Sequence, residues 1–199
     1  MFTGLIQSVG NIVSSKQING DLQFDIDTNF TDMSDVLLGD SIAINGVCLT
    51  VTNMYNTQIS VDVSKETMQK TDVNNWKIGT QLNLEKSLTL KDKLGGHMVS
   101  GHVDAMAECT HIESSARSTI YQFRIPLELD KYIVKKGSLA INGVSLTVNE
   151  IDDCVVSVNL IPHTIEHTNL GLLKTGDQVN IEIDTIARYV EKMLGNHEY

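Results

Sequence analysis

Residues Ser41–Val51 read SIAINGVCLTV, and residues Ser138–Val148 read SLAINGVSLTV. Sliding the chain against itself by 97 positions aligns 41–86 with 138–183 without a gap, and 18 of the 46 pairs are identical. Asn45 falls on Asn142, Thr50 on Thr147, Thr67 on Thr164, Asn83 on Asn180 and Glu85 on Glu182. The register reaches the N-terminus, where MFTG (Met1–Gly4) falls on MVSG (Met98–Gly101). A period this long marks a duplicated small domain, not a solenoid of short repeats. It divides the chain into units 1–97 and 98–185, followed by a tail, 186–199. No Gly/Ser-rich linker lies between the units, so they are expected to sit close together.

Each unit reads as β. Leu22, Phe24 and Ile26 alternate with Gln23, Asp25 and Asp27, and Ile59, Val61 and Val63 alternate with polar neighbours. Tyr121, Phe123 and Ile125 do the same in the second unit. QLNLEK and QVNIEI repeat the pattern at equivalent places. Glycine turns at Gly39-Asp40, Gly79-Thr80 and Gly176-Asp177 keep the strands short. Closure removes the open edges of so short a sheet, which suits a small closed barrel or sandwich in each unit. Helical signals are brief: KETMQKTDV, its counterpart PHTIEHTNL with Pro162 at a first helical position, and a C-terminal TIARYVEKMLGN. The last carries one apolar stripe (Ile186, Tyr189, Val190, Met193, Leu194), which suits contact with its own barrel or with another subunit.

Composition narrows the function. With 25 acidic against 15 basic residues, the net charge is −10, which disfavours a nucleic-acid backbone or an anionic membrane as partner. No apolar run is long enough to span a bilayer, and MFTGLIQSVG has no basic region of a secretory signal. Three cysteines (Cys48, Cys109, Cys154) without CxxC spacing suit reduced thiols in a cytoplasmic protein.

Few residues suggest chemistry. GGHMVSGHVD (Gly95–Asp104) concentrates Gly and His, but no further ligands accompany His97 and His102 at a metal-binding spacing, so no metal is expected. No P-loop, nucleophile elbow or dinucleotide fingerprint occurs. Cys48 by itself suits a small buried hydrophobe. Its counterpart, however, is Ser145, and Thr50 and Thr147 lie two residues on, on the same strand face. Such a face is too polar for simple core and suits a pocket wall. Asp62–Thr67 and Asn159–Thr164 run from a strand end into a helix start, where free backbone N–H groups suit an acceptor-rich ligand. Two like pockets imply two like ligands per chain.

These residues together resemble the riboflavin synthase family, built from two lumazine-binding barrels, which implies an all-β chain of two tandem closed Greek-key barrels, each of about six strands, with a short C-terminal α-helix. The resemblance rests on MFTGLIQSVG, GDSIAINGVCLTV, KET, GGHMVSGHVD, KGSLAINGVSLTV, IPHTIEHTNLG and VNIEIDTIARYVEK, in the family's order over nearly the whole chain. It implies a transferase that dismutates two 6,7-dimethyl-8-ribityllumazine molecules, without a cofactor, because the substrate's C7 methyl is itself acidic. It also implies a homotrimer with the C-terminal helix at the contact, and lumazine synthase is a candidate partner. Carried over, the first pocket comprises Gly4, Leu5, Ile6, Ser41, Cys48, Leu49, Thr50 and the segment Asp62, Val63, Ser64, Lys65, Glu66, Thr67. The second comprises Gly101, His102, Val103, Lys136, Ser145, Leu146, Thr147 and the segment Asn159, Leu160, Ile161, Pro162, His163, Thr164; His97 is carried over as a binding residue without assignment to either pocket. The family implies His102 as base, Cys48 and Ser145 as nucleophiles or hydrogen-bond partners, and Asp184 as an orienting carboxylate. Two departures stand out: Asn142 replaces a common Asp, and His163 replaces a common Glu. Non-catalytic, lumazine-binding fluorescent antenna proteins share the two-barrel pattern, but the intact CLTV and GGH…SGH motifs favour the synthase.

Overall fold

A computed structural model describes residues 1–194. Twelve strands carry the chain: β1 (Ser8–Ile18), β2 (Asp21–Asp27), β3 (Ser41–Ile44), β4 (Val47–Tyr55), β5 (Gln58–Val63) and β6 (Gln81–Lys86), then β7 (Ala105–Ser115), β8 (Ser118–Arg124), β9 (Ser138–Ile141), β10 (Val144–Asp152), β11 (Val155–Leu160) and β12 (Gln178–Ile183). The helices are α1 (Lys65–Lys70), α2 (Pro162–His167) and α3 (Thr185–Leu194). The first six strands close in the order β1-β2-β5-β4-β3-β6 and the last six in the order β7-β8-β11-β10-β9-β12, all antiparallel. Among the described residues no helix is long and apolar enough to cross a membrane.

The alternation read from the sequence fills each barrel. Phe24, Ile26, Ile59, Val61, Leu82 and Leu84 build the first core, and Phe123, Val156, Val158, Val179 and Ile181 the second. Each such side chain contributes about 1.5–3 kcal/mol on burial. Closure needs sharp coiling, and register shifts supply it at matching places: between Ile12 and Ser14 in β1 and Cys109 and His111 in β7, and between Val51 and Asn53 in β4 and Val148 and Glu150 in β10. Asn45-Gly46 and Asn142-Gly143 turn β3 into β4 and β9 into β10 with positive φ at both residues, the mirror-image turn that matches strand twist.

The barrels meet about a local twofold axis. Phe2 and Val99, exactly one repeat apart, exchange both backbone hydrogen bonds, at 2.7 and 3.1 Å. Gly46 and Gly143, also one repeat apart, approach so closely that a Cβ on either would sit 2.7 or 2.8 Å from the other's backbone nitrogen. Phe2, Ala43, Val99 and Ala140 form a small third core between the barrels.

Buried amides tie the same interface. Asn83 Nδ2 donates to the Asn142 carbonyl (2.9 Å) and Asn180 Nδ2 to the Asn45 carbonyl (3.0 Å). Asp72 and Asn169 are repeat counterparts with different surroundings. Asp72 Oδ1 accepts from Asn180 Nδ2 (2.7 Å) and from Trp76 Nε1 (2.9 Å). Trp76 becomes Leu173 in the second unit, which has no donor, and Asn169 Oδ1 is buried without a partner among the described residues. Burial pushes the Asp72 carboxyl up to about 6.

The tail expectation resolves toward an outward-facing stripe. α3 docks by its polar side, with Arg188 Nη2 2.7 Å from Asp104 Oδ1 and Glu191 accepting from Lys131 and Tyr132. Its apolar residues Tyr189 and Met193 remain 63% and 68% exposed. Residues 195–199 of the expected tail lie outside the described residues.

Candidate functional site

Cys48 and Ser145 sit at equivalent places on β4 and β10, each half-buried, with Leu49 and Leu146 turned into the cores behind them. The alternation therefore leaves Cys48 and Thr50 on one face, and Ser145 and Thr147 on its counterpart. Ser41 lies across the ladder from Thr50, and Ser138 from Thr147.

The segments that complete these faces cross between barrels. The Cys48 N–H donates to the carbonyl of Gly101 (2.8 Å), and the Ser145 N–H to the carbonyl of Gly4 (2.8 Å). Each junction requires glycine, because φ is +74° at Gly4 and +79° at Gly101, and a Cβ at either would lie 2.6 Å from the facing Cβ. A buried carboxylate anchors each crossing. Glu85 accepts from Thr3 N (2.6 Å), Thr3 Oγ1 (2.5 Å) and Gly4 N (2.9 Å); Glu182 accepts from Ser100 N (2.6 Å), Ser100 Oγ (2.7 Å) and Gly101 N (2.8 Å). Burial raises the Glu85 carboxyl, while those three donors pull it back.

This crossing corrects the grouping expected from the sequence. Gly4, Leu5 and Ile6 do not join Cys48, nor do Gly101, His102 and Val103 join Ser145. Ile6 instead packs against the second core and Val103 against the first. Gly101, His102 and Val103 line a cavity of about 260 Å³ with Cys48, Glu66 and Thr67. Val47, Lys70 and Thr71 also line it, and reading the sequence missed them. Lys70 had a signal, since it stands four residues after Glu66 on one helix face.

The remaining expected residues divide by burial. Val63 and Leu160 belong to the cores, at 0% and 1% exposure, so only their backbones are available. Asp62 accepts from Gln23 Nε2 (2.8 Å), and Ser64 caps α1 by accepting from Thr67 N (3.3 Å). Lys65, Asn159, Ile161, Pro162 and His163 are exposed around the strand ends, with Thr164 half-buried. Pro162 opens α2 as expected, but Ile161 at its N-cap supplies no side-chain bond. Lys136 is exposed and holds φ at +68° where the first barrel has Gly39, an uncommon conformation for lysine. Asn142 is only 3% exposed, and its Oδ1 accepts from Asn180 N (2.8 Å) at the barrel interface. It therefore serves the turn and the interface.

The two mouths differ most at His97. Gly95–His97 lies over Ser145: a Cβ on Gly96 would sit 2.8 Å from Ser145 Cβ, and His97 N donates to the Thr3 carbonyl (3.1 Å). The ring is buried, and its Nδ1 lies 2.7 Å from Ser145 Oγ. Nε2 is enclosed without a partner among the described residues. Desolvation lowers the His97 pKa, opposed by Asp184 and then Glu182, which keeps the imidazole neutral at pH 7. Asp184 also caps α3, accepting from Ile186 N (2.9 Å). One repeat later, His97 corresponds to Leu194 in α3, so among the described residues the repeat places no second histidine over Cys48. Neutral imidazole on a serine hydroxyl at one mouth, and thiol beside His102 at the other, are two different proton-handling sets on like frames.

Known proteins resemble this chain in sequence and in fold. The family model for the lumazine binding domain matches twice, over residues 3–87 and 100–184. A riboflavin synthase of Photobacterium leiognathi is 42% identical over 199 residues, covering 100% of this chain and 91% of its own. That of Bacillus subtilis (strain 168) is 41% identical over 194 residues, covering 98% and 90%. Among solved structures, LumP complexed with riboflavin superposes with a TM-score of 0.85 at 26% identity, covering 92% of this chain and 99% of LumP. LumP complexed with 6,7-dimethyl-8-(1'-D-ribityl) lumazine gives a TM-score of 0.83 at 25% identity, with the same coverage.

Proposed function

The chain belongs to the riboflavin synthase family, a family of transferases, and from that premise we propose that it dismutates two 6,7-dimethyl-8-ribityllumazine molecules. One gives up four carbons, the other takes them, and the products are riboflavin and 5-amino-6-(ribitylamino)pyrimidinedione. The observation that carries this reading is the twofold relation of the two mouths, Cys48 in one and Ser145 in the other. Two identical substrates need two like frames, and their unlike roles need the frames to differ. Holding both heterocycles in a dry site contributes most of the acceleration as orientation and entropy. Backbone and threonine groups at Cys48–Thr50 and Ser145–Thr147 bind the heterocycle edges, and the strand-end segments take the ribityl chains. His102 exchanges the C7-methyl proton at the first mouth, and the Ser145–His97 pair handles the proton at the second. No cofactor enters, since the four carbons pass directly from one substrate to the other and the side chains only carry protons.

Purified chain mixed with the lumazine is expected to develop riboflavin absorbance. Ser145→Ala is expected to slow it by about 10²–10⁴-fold, the usual worth of general acid–base help. Retention of the lumazine without turnover would instead identify a non-catalytic binder.

We also propose that the exposed stripe of α3 is covered by other copies in a homotrimer. The helix docks on its own barrel through charges, which leaves that stripe without a partner among the described residues. A chain ending at Asp184 is expected to sediment as a monomer and the full chain as a trimer. A shortened chain that remains trimeric removes the helix from the contact.

A further inference from the structure

Where the first mouth carries Glu66 and Lys70, the second carries His163 and His167, one repeat later. The acid–base pair of one helix has become a pair of imidazoles four residues apart on the other. Their rings stack with centroids 4.2 Å apart and planes 12° from parallel. Both side chains are exposed.

Their protonation is partly legible. His167 Nδ1 lies 2.8 Å from the backbone carbonyl of His163, and a carbonyl can only accept. Nδ1 therefore carries a proton, and in the neutral ring His167 Nε2 is the nitrogen whose lone pair faces solvent. A ring N–H held by a backbone carbonyl is the same outer-shell bond that orients metal-binding histidines elsewhere. The platform is firm although α2 is short. Thr168 Oγ1 donates to the Thr164 carbonyl (2.7 Å), and the turn that follows presses so closely that a Cβ on Gly171 would lie 2.4 Å from the Ile165 carbonyl.

We propose that His163 and His167 chelate a divalent transition-metal ion at the rim of the second mouth. Residues four apart are neighbours on a helix face, and with the His167 ring held by its carbonyl, a turn of the His163 side chain brings both lone pairs onto one ion at about 2.0–2.1 Å. Imidazole selects nickel, copper or zinc over magnesium or calcium. Water completes the coordination, since no cluster of three or more His, Cys, Asp or Glu side chains suited to a metal occurs among the described residues. The site is thus an exchangeable chelate. His163 stands in the strand-end segment assigned above to a ribityl chain, so an occupied chelate obstructs the second mouth and leaves the first open. That consequence, unlike the chelate itself, rests on the lumazine reading.

The test is calorimetric titration of the full chain with nickel chloride at pH 7.5. One ion per chain is expected, with His163→Gln and His167→Gln each weakening binding at least roughly tenfold, because a chelate needs both rings. The double variant is expected to lose the site, and His111→Gln to bind as the parent does. Undiminished binding by the double variant places the ion elsewhere and overturns the proposal; so do single variants that each retain half of the parent's affinity, the mark of two independent rings. In a separate lumazine assay, nickel is expected to inhibit the parent but not His167→Gln, each relative to its own metal-free rate. If no lumazine turnover exists at all, the titration still decides the chelate.

Discussion

Gly143→Ala is expected to destabilise the chain by about 2–5 kcal/mol, the sum of about 1–2 for an alanine in the left-handed region and about 1–3 for overpacking. Gly143 holds φ at +79°, and a Cβ there would lie 2.8 Å from the backbone nitrogen of Gly46 on the other barrel. Backbone faces backbone across the twofold axis, so no side chain can rotate away. The midpoint of thermal unfolding should fall on the order of 10 °C. Gly79→Ala is the control. Gly79 also has positive φ (+86°), but an added Cβ meets nothing within 4 Å, so only the conformational cost applies. The difference between the two variants measures the inter-barrel contact. Equal losses would mean that this contact contributes nothing to the pairing of the barrels.

Asp72→Asn is expected to stabilise the chain at neutral pH by up to about 3 kcal/mol. Burial raises the folded carboxyl from 3.8 to about 6, so between those values the folded chain holds more proton than the unfolded one. Stability from this group is therefore full below about pH 4, falls as pH rises toward 6, and stays low above it. Asparagine keeps an oxygen to accept from Asn180 Nδ2 and Trp76 Nε1, and the repeat already places an asparagine, Asn169, at the equivalent position. Urea unfolding at pH 4, 5, 6 and 7.5 should show parent and variant diverging steadily up to pH 6. Glu85 and His97 titrate in both proteins and cancel in the difference. A variant less stable than the parent at pH 7.5 refutes the account.

Much of the architecture was legible because its signals are local. Alternation through Phe24 and Ile26, or Tyr121 and Phe123, needs only neighbouring residues to reveal a half-buried strand. The Asn-Gly pairs announce tight hairpins for the same reason. The register shifts at Ile12/Ser14 and Val51/Asn53 left no such mark, because a bulge answers to barrel closure. Lys136 was readable as a site residue only through the family, and its positive φ comes from sharing a backbone position with Gly39. His97 looked like half of a histidine pair with His102, yet the chain sends the two to different barrels.

The sequence by itself determined that the protein is a duplicated β domain with two equivalent polar faces, at Cys48–Thr50 and Ser145–Thr147. Repetition and alternation are properties of order along a chain, and need no third dimension to be seen. Only the tertiary structure decided which terminal segment completes which face. The Gly4 carbonyl reaches Ser145 and the Gly101 carbonyl reaches Cys48 because two barrels dock about a twofold axis, and a twofold axis exchanges whatever crosses it. It also decided the asymmetry of the pair. The link between barrels exists once per chain, so one imidazole, His97, covers Ser145, while the residue one repeat later is carried off in α3.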